Sequence, residues 1–337
     1  MRLYMMSIRK LICGGLIILC LISLIGCETT NDGYAFEDMY AIMMNDSMGI
    51  QKYNILTGEQ TPLCPDPICE HTSDSECPFS SAAMILTDES ELYFVQDGAI
   101  YYDDQIGDYV LPQSIMRYDF KKGQVKVLCT INSTKYEGLQ GRLIHSGNNI
   151  YFSVRSADDT NETFDLWKVK DTGGTPKKLG ITTSWTAGGV YNGYAYYSDV
   201  TGVYRIDMKK KEMEYLLQAD EGKLIAIYFF DKDGGAYCVE NSQSGSAVIY
   251  IKAGENPVRI MEGMDISYMA ISGDTICYSE GNDLYTISQD HKNKALLYEA
   301  DEKENISRIW SCGLGFVARY NNDETMNSTF VPLKIYS

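Results

Sequence analysis

Cys64, Cys69, His71 and Cys77 fall in one short stretch, LCPDPICEHTSDSECPF, running from Leu63 to Phe79. Their spacing is C-x4-C-x-H-x5-C. Three thiolates and an imidazole form a complete tetrahedral set for zinc, so these four residues are the candidate metal ligands of the chain. Cys69 and His71 are two apart, which puts them on one side of an extended backbone. The spacing matches no zinc-finger pattern, and two other states are open to the same residues. A disulfide joining two of the three cysteines would leave a spare thiol, or all three would stay reduced. A disulfide closing so short a loop contributes about 2–3 kcal/mol. Outside the cytoplasm it is the first expectation, with zinc the second.

Little else in the chain has the composition of a reactive site. No G-x-S-x-G, H-E-x-x-H or P-loop occurs, and the chain has three histidines in all, so no catalytic residue is expected. His145 and His291 are isolated in sequence and read as solvent-facing or turn residues. GLGFVA (Gly313 to Ala318) mimics a dinucleotide fingerprint but has no helix to follow it. DKDGG (Asp231 to Gly235) lacks the third acid and the distal Glu of a calcium loop, and reads as a charged hairpin turn. Cys238 and Cys277 fall in aromatic strands, where a thiol acts as a small hydrophobe. Tyr101, Tyr102, Asp103 and Asp104 suit a ligand-binding loop or, equally, a strand and turn.

The first 26 residues say where such a site would operate. Arg2, Arg9 and Lys10 precede an apolar run from Leu11 to Ile25. At about 15 residues, that run is short of the roughly 20 that span a bilayer. It ends in Leu24-Ile25-Gly26-Cys27, which resembles the lipobox of bacterial lipoproteins. The resemblance implies cleavage before Cys27, a lipid on its sulfur, and membrane anchoring at the extracytoplasmic face. The expected organisation is a signal peptide over 1–26, a lipidated Cys27 with a short tether over 27–35, and one domain over 36–337. The tether spans at most roughly 25 Å, which keeps the domain near the bilayer. With a formal net charge of −17, the chain repels nucleic acid, and none is expected as a partner.

A repeat sets the fold. GIQKYNILTGEQTPLC (Gly49 to Cys64) matches SIMRYDFKKGQVKVLC (Ser114 to Cys129) in register: apolar, basic, Tyr, Asn or Asp, a Gly turn, then a strand ending Leu-Cys. The unit recurs from Asp165, Gly202, Ser246 and Asn282. An aromatic strand precedes most copies, as in LYFVQDG at Leu92 and AYYSDVTG at Ala195. Four strands per unit is one propeller blade, and the 26 tyrosines suit stacked, half-buried sheets. The expectation is an all-β chain with a single β-propeller of seven blades, six being the alternative. The first unit lacks a first strand and the last unit, Ile306 to Ser337, lacks a last one. Residues 64–79 are then an insertion between blades.

Tyr196-Tyr197-Ser198-Asp199 resembles the YWTD repeat of low-density-lipoprotein-receptor-like propellers. That resemblance implies six blades, with Ser198 and Asp199 tying neighbouring blades together. The whole chain, with its Cys-x-Asp-Pro-x-Cys-x-His loop at Cys64 to His71, also resembles surface lipoproteins of Gram-positive gut bacteria, a resemblance that brings no activity with it. The expected role is a protein-interaction or scaffolding module of the cell envelope. The alternative is capture of a small ligand or glycan at the channel mouth, with a propeller-type lyase or hydrolase third. No cofactor is expected unless the cysteine loop holds zinc.

Overall fold

The second strand of each blade shows what drives the fold. Leu92–Val95, Ala195–Tyr197, Ala236–Glu240 and Phe316–Ala318 are buried without a break. A strand buried on both faces has another sheet above and below it, the arrangement of stacked blades. Tyr93, Tyr196, Tyr197, Tyr237, Tyr278 and Tyr320 are among the largest fully buried side chains. Each such ring contributes about 1.5–3 kcal/mol of transfer free energy. Their hydroxyls find local partners where they can: Tyr320 donates to the Asn282 carbonyl at 2.9 Å, a bond between blades.

The protein, seen here in a computed structural model, is described over residues 39–335 except 46–48, 67, 70–76, 89, 97–99, 104–106, 111, 132–137, 157–161, 323 and 326. Cys27, the signal and tether region and His71 lie outside the described residues. Within them are 28 strands, arranged as seven antiparallel sheets and one separate hairpin. Blades 2 to 6 have four strands each and span 82–131, 139–183, 189–218, 224–264 and 269–298. Blade 1 (40–62) and blade 7 (304–334) have three. The innermost strands form a closed ring in which Tyr40–Asn45 abuts both Glu304–Cys312 and Ala82–Asp88. The fold is a seven-bladed β-propeller, so the six blades implied by the YWTD resemblance are not what the chain forms.

The two short blades are incomplete at opposite edges. In blade 7 the outermost strand is missing among the described residues. In blade 1 the strand without a counterpart among the described residues is the first, and Tyr40–Asn45 itself holds the innermost place in the ring. Tyr40 and Ile42 line a cavity with Ile271–Gly273 and Ser311–Gly313, the ends of the first strands of blades 6 and 7. Tyr40–Asn45 therefore starts where other blades begin their second strand. This agrees with the sequence register that pairs Gly49 to Cys64 with the outer hairpin of blade 2.

Strand alternation assigns every connection to one of two faces. Turns between first and second strands, and between third and fourth, share a turn face. Connections between second and third strands, and between blades, share a loop face. Turn-face connections include two-residue turns at 147–148, 192–193, 273–274 and 313–314. The longest connections, 63–81 and 97–112, are both on the loop face, over blades 1 and 2. The second contains the separate hairpin, Ile100–Asp103 paired with Gly107–Val110. Tyr101, Tyr102 and Asp103 are therefore strand residues facing Tyr109, Asp108 and Gly107 across that hairpin; Asp104 lies outside the described residues.

Candidate functional site

Cys64 follows the last strand of blade 1, Gln60–Pro62, after Leu63. Asp66 then makes an Asx turn, its Oδ1 accepting from Ile68 N at 3.0 Å, and its carbonyl accepts from Cys69 N. This turns Cys69 back toward Cys64. The chain returns at Cys77, whose carbonyl accepts from both the backbone N and the hydroxyl of Ser80. Phe79 O then accepts from Ile50 N, pinning the end of the insertion against blade 1. The approach is close enough that a Cβ on Gly49, which has φ +66°, would lie 2.0 Å from Phe79 O.

The result is a cluster of three sulfurs. The Sγ atoms of Cys64, Cys69 and Cys77 all lie within 4.8 Å of one another, and the three stand as thiols. Each sulfur hydrogen-bonds within the trio. Burial pushes both the Cys64 and Cys77 thiols up, the latter to about 12. The burial comes from the core shared by blades 1 and 2, where Phe79 stacks on Phe94 and meets Tyr118 edge-on. Thus three of the four residues read from sequence as metal ligands come together, and the fourth, His71, is outside the described residues.

A second polar centre, which sequence reading did not find, lies in the channel. Arg142, on the first strand of blade 3, reaches past blade 4 to the first strand of blade 5. It donates to the carbonyls of Tyr228 at 2.7 Å and Ile227 at 3.1 Å. Arg142 is open to channel solvent, yet surrounding protein desolvates its guanidinium and holds its pKa below the usual arginine value. Tyr228 also lines a cavity with Ser267, Tyr268, Met269 and the exposed Arg308. Each arginine puts positive charge into an acidic chain, where it can attract an anion. They stand 166 positions apart in the chain, on blades 3 and 7.

His145 corrects the sequence reading. It is neither isolated nor free in solvent: Nδ1 bonds Asp88 across the junction of blades 2 and 3, and Nε2 lies 3.8 Å from Asp171 Oδ2. Tyr93 packs on its ring at 5.3 Å. His291 is a turn residue as expected, in the left-handed region at φ 62°, with its ring against Tyr237 and Tyr250. Asp231 also behaves as read, its Oδ1 accepting from Asp233 N and Gly235 N in a turn.

The YWTD-like residues divide in role. Ser198 Oγ accepts from Ile227 N of blade 5 at 3.3 Å, tying neighbouring blades. Ser153 does the same for Ala187 N at the entry to blade 4. Asp199 instead accepts from Thr201 N at 2.7 Å within its own turn, so the inter-blade role implied for it falls to the serine alone.

No protein-family model matches the chain, and no curated protein does. Solved structures do match. An oligogalacturonate lyase from Vibrio parahaemolyticus superposes with a TM-score of 0.56 at 11% identity, covering 84% of this chain and 82% of that one. An oligogalacturonate lyase in complex with manganese gives 0.57 at 11%, covering 84% and 81%. Pyrococcus horikoshii acylaminoacyl peptidase gives 0.52 at 14% identity, covering 83% of this chain and 47% of that one. At such identities the likeness is one of fold.

Proposed function

We propose that the chain is a lipid-anchored extracytoplasmic propeller that binds a partner protein of the cell envelope through its loop face. The observation that carries this is where the exposed apolar side chains fall. Of the exposed large hydrophobics, Ile68, Trp185, Val200 and Leu224 lie on the loop face, and the rest lie on outermost strands. Ile68 is 85% exposed and Val200 64%. Val200 and Leu224 line one shallow depression with Asn241 and Gln243. Single exposed apolar residues are ordinary; several on the one face with long connections mark a contact surface. The first described strand, Tyr40–Asn45, begins on the turn face, and an anchor joined to that end would leave the loop face away from the bilayer.

The anchor is tested by labelling cells with an alkyne fatty acid. Full-length chain takes the label and pellets with membranes, whereas Cys27→Ser is unlabelled and soluble; an unlabelled, membrane-bound wild type contradicts the reading.

Arg142 and Arg308 favour a second reading, capture of an anionic small ligand or acidic glycan in the channel. Oligogalacturonate serves as the probe in calorimetry. Binding that disappears in Arg308→Ala and falls steeply with salt supports this reading; equal binding by a neutral oligosaccharide counts against it.

A further inference from the structure

We propose that Cys64, Cys69 and Cys77 bind one zinc ion as three thiolates, and that this ion clips the connection between blades 1 and 2. The inference is independent of the partner-binding reading. It rests first on three-way proximity. A disulfide requires two sulfurs about 2.05 Å apart and makes no demand on a third. Here all three lie within 4.8 Å of one another, and no pair is bonded. A tetrahedral site with Zn–S of about 2.3 Å has sulfurs about 3.8 Å apart, so the cluster closes with shifts of about 1 Å or less.

The second support is the backbone around the sulfurs. Cys64-Pro65-Asp66 and Cys77-Pro78-Phe79 are the same Cys-Pro-x turn, used twice. In each, the backbone N–H two residues after the cysteine donates to its sulfur: Asp66 N–H to Cys64 and Phe79 N–H to Cys77. Proline fixes φ and has no N–H of its own, so the next N–H is the one turned back onto the sulfur. Two such donors face sulfur from opposite ends of the insertion, where they offset negative charge on metal-bound sulfur.

The third support is position. The cluster packs on the core that joins Ile42 and Ile50 of blade 1 to Leu92, Phe94, Met116 and Tyr118 of blade 2. Blade 1 has three strands among the described residues, so a clip at this junction ties a short sheet to its neighbour. Binding converts three S–H groups to thiolates: one Zn2+ enters, three protons leave, and the site carries one net negative charge before a fourth ligand joins. Affinity therefore falls as pH falls.

The test uses the full-length chain purified in detergent without chelators. Metal content is measured by mass spectrometry, free thiols are counted by alkylation after denaturation, and cobalt(II) is titrated into metal-stripped protein. The proposal expects one zinc per chain, loss of that zinc in Cys64→Ser and Cys77→Ser, and its retention in Cys238→Ser, which changes a buried thiol in blade 5. It also expects a thiolate-to-cobalt charge-transfer band in the wild type, a readout that stands even if a serine variant fails to fold. Three outcomes overturn it: no zinc with two loop cysteines resisting alkylation, no zinc with all three alkylated and no cobalt band, or zinc retained in both serine variants.

Discussion

The turn face and the loop face are built from the same strands but follow different rules. On the turn face one device recurs. Asn54, Asp119 and Asp207 each close a third strand and accept two backbone N–H bonds from the residues that follow. Side-chain oxygens that mimic a turn in this way explain why Asn or Asp stands at one position of the repeat. Hydrogen bonds to Lys209 and Lys210 N–H hold Asp207 below its ordinary pKa, so the turn favours its charged form. On the loop face Ser153 and Ser198 tie neighbouring blades, but the connections themselves differ from blade to blade. There the chain carries the thiol cluster, the Ile100–Val110 insertion and the exposed Trp185 and Val200. Repetition marks the turn face, and variation leaves the loop face free to specialise.

Predictions that sharpen this contrast begin with the core that both faces share. Phe94→Ala removes a fully buried ring stacked on Phe79 and is expected to cost about 3–5 kcal/mol, measured by urea denaturation. It should also loosen the thiol cluster, read as faster alkylation of Cys77. Next comes the bond between blades. Ser198→Ala strips Ile227 N–H of its side-chain acceptor and is expected to cost about 1–2 kcal/mol, whereas a loss under about 0.3 kcal/mol would reduce the YWTD-like serine to an incidental contact.

The two faces should then separate in a paired experiment. Asp207→Ala on the turn face is expected to lower stability slightly while leaving partner binding intact. Val200→Asp on the loop face should leave stability within about 0.5 kcal/mol and abolish partner binding. The reverse pattern would break the division. The smallest effect concerns His291. Burial lowers its pKa, with Asp290 opposing, so the folded chain takes up that proton less readily than the unfolded one. The stability this contributes is complete above the unfolded value near 6.5 and is lost as pH falls through the folded value. Melting curves at about pH 7.5 and about pH 5.5 should therefore diverge slightly more for wild type than for His291→Gln.

The same contrast explains what sequence can reveal. Seven blades, the incomplete first and last units and the Asn/Asp turns follow from a repeat visible between Gly49–Cys64 and Ser114–Cys129, because repetition is itself the signal. The three cysteines were legible as a group because their spacing is local. The matched Cys-Pro-x turns are present in the same stretch, although their meaning appears only when Asp66 and Phe79 N–H groups meet the sulfurs. Arg142 and His145 were not legible. Their partners, Ile227 and Tyr228 for one and Asp88 for the other, come from different blades, and no local pattern marks a contact created by ring closure. Asp199 was misjudged for the opposite reason: a local Thr201 N–H captured it before a neighbouring blade did.

The central claim is that function lies on the loop face. The most direct measurement places a photo-crosslinking amino acid in the full-length chain in intact cells, at Val200 in one strain and at Lys210, on the opposite turn face, in another. Both side chains are exposed. A discrete protein adduct at Val200, absent at Lys210 and lost when Leu224→Asp is added, is the predicted result. An adduct at Lys210 with none at Val200 would contradict it.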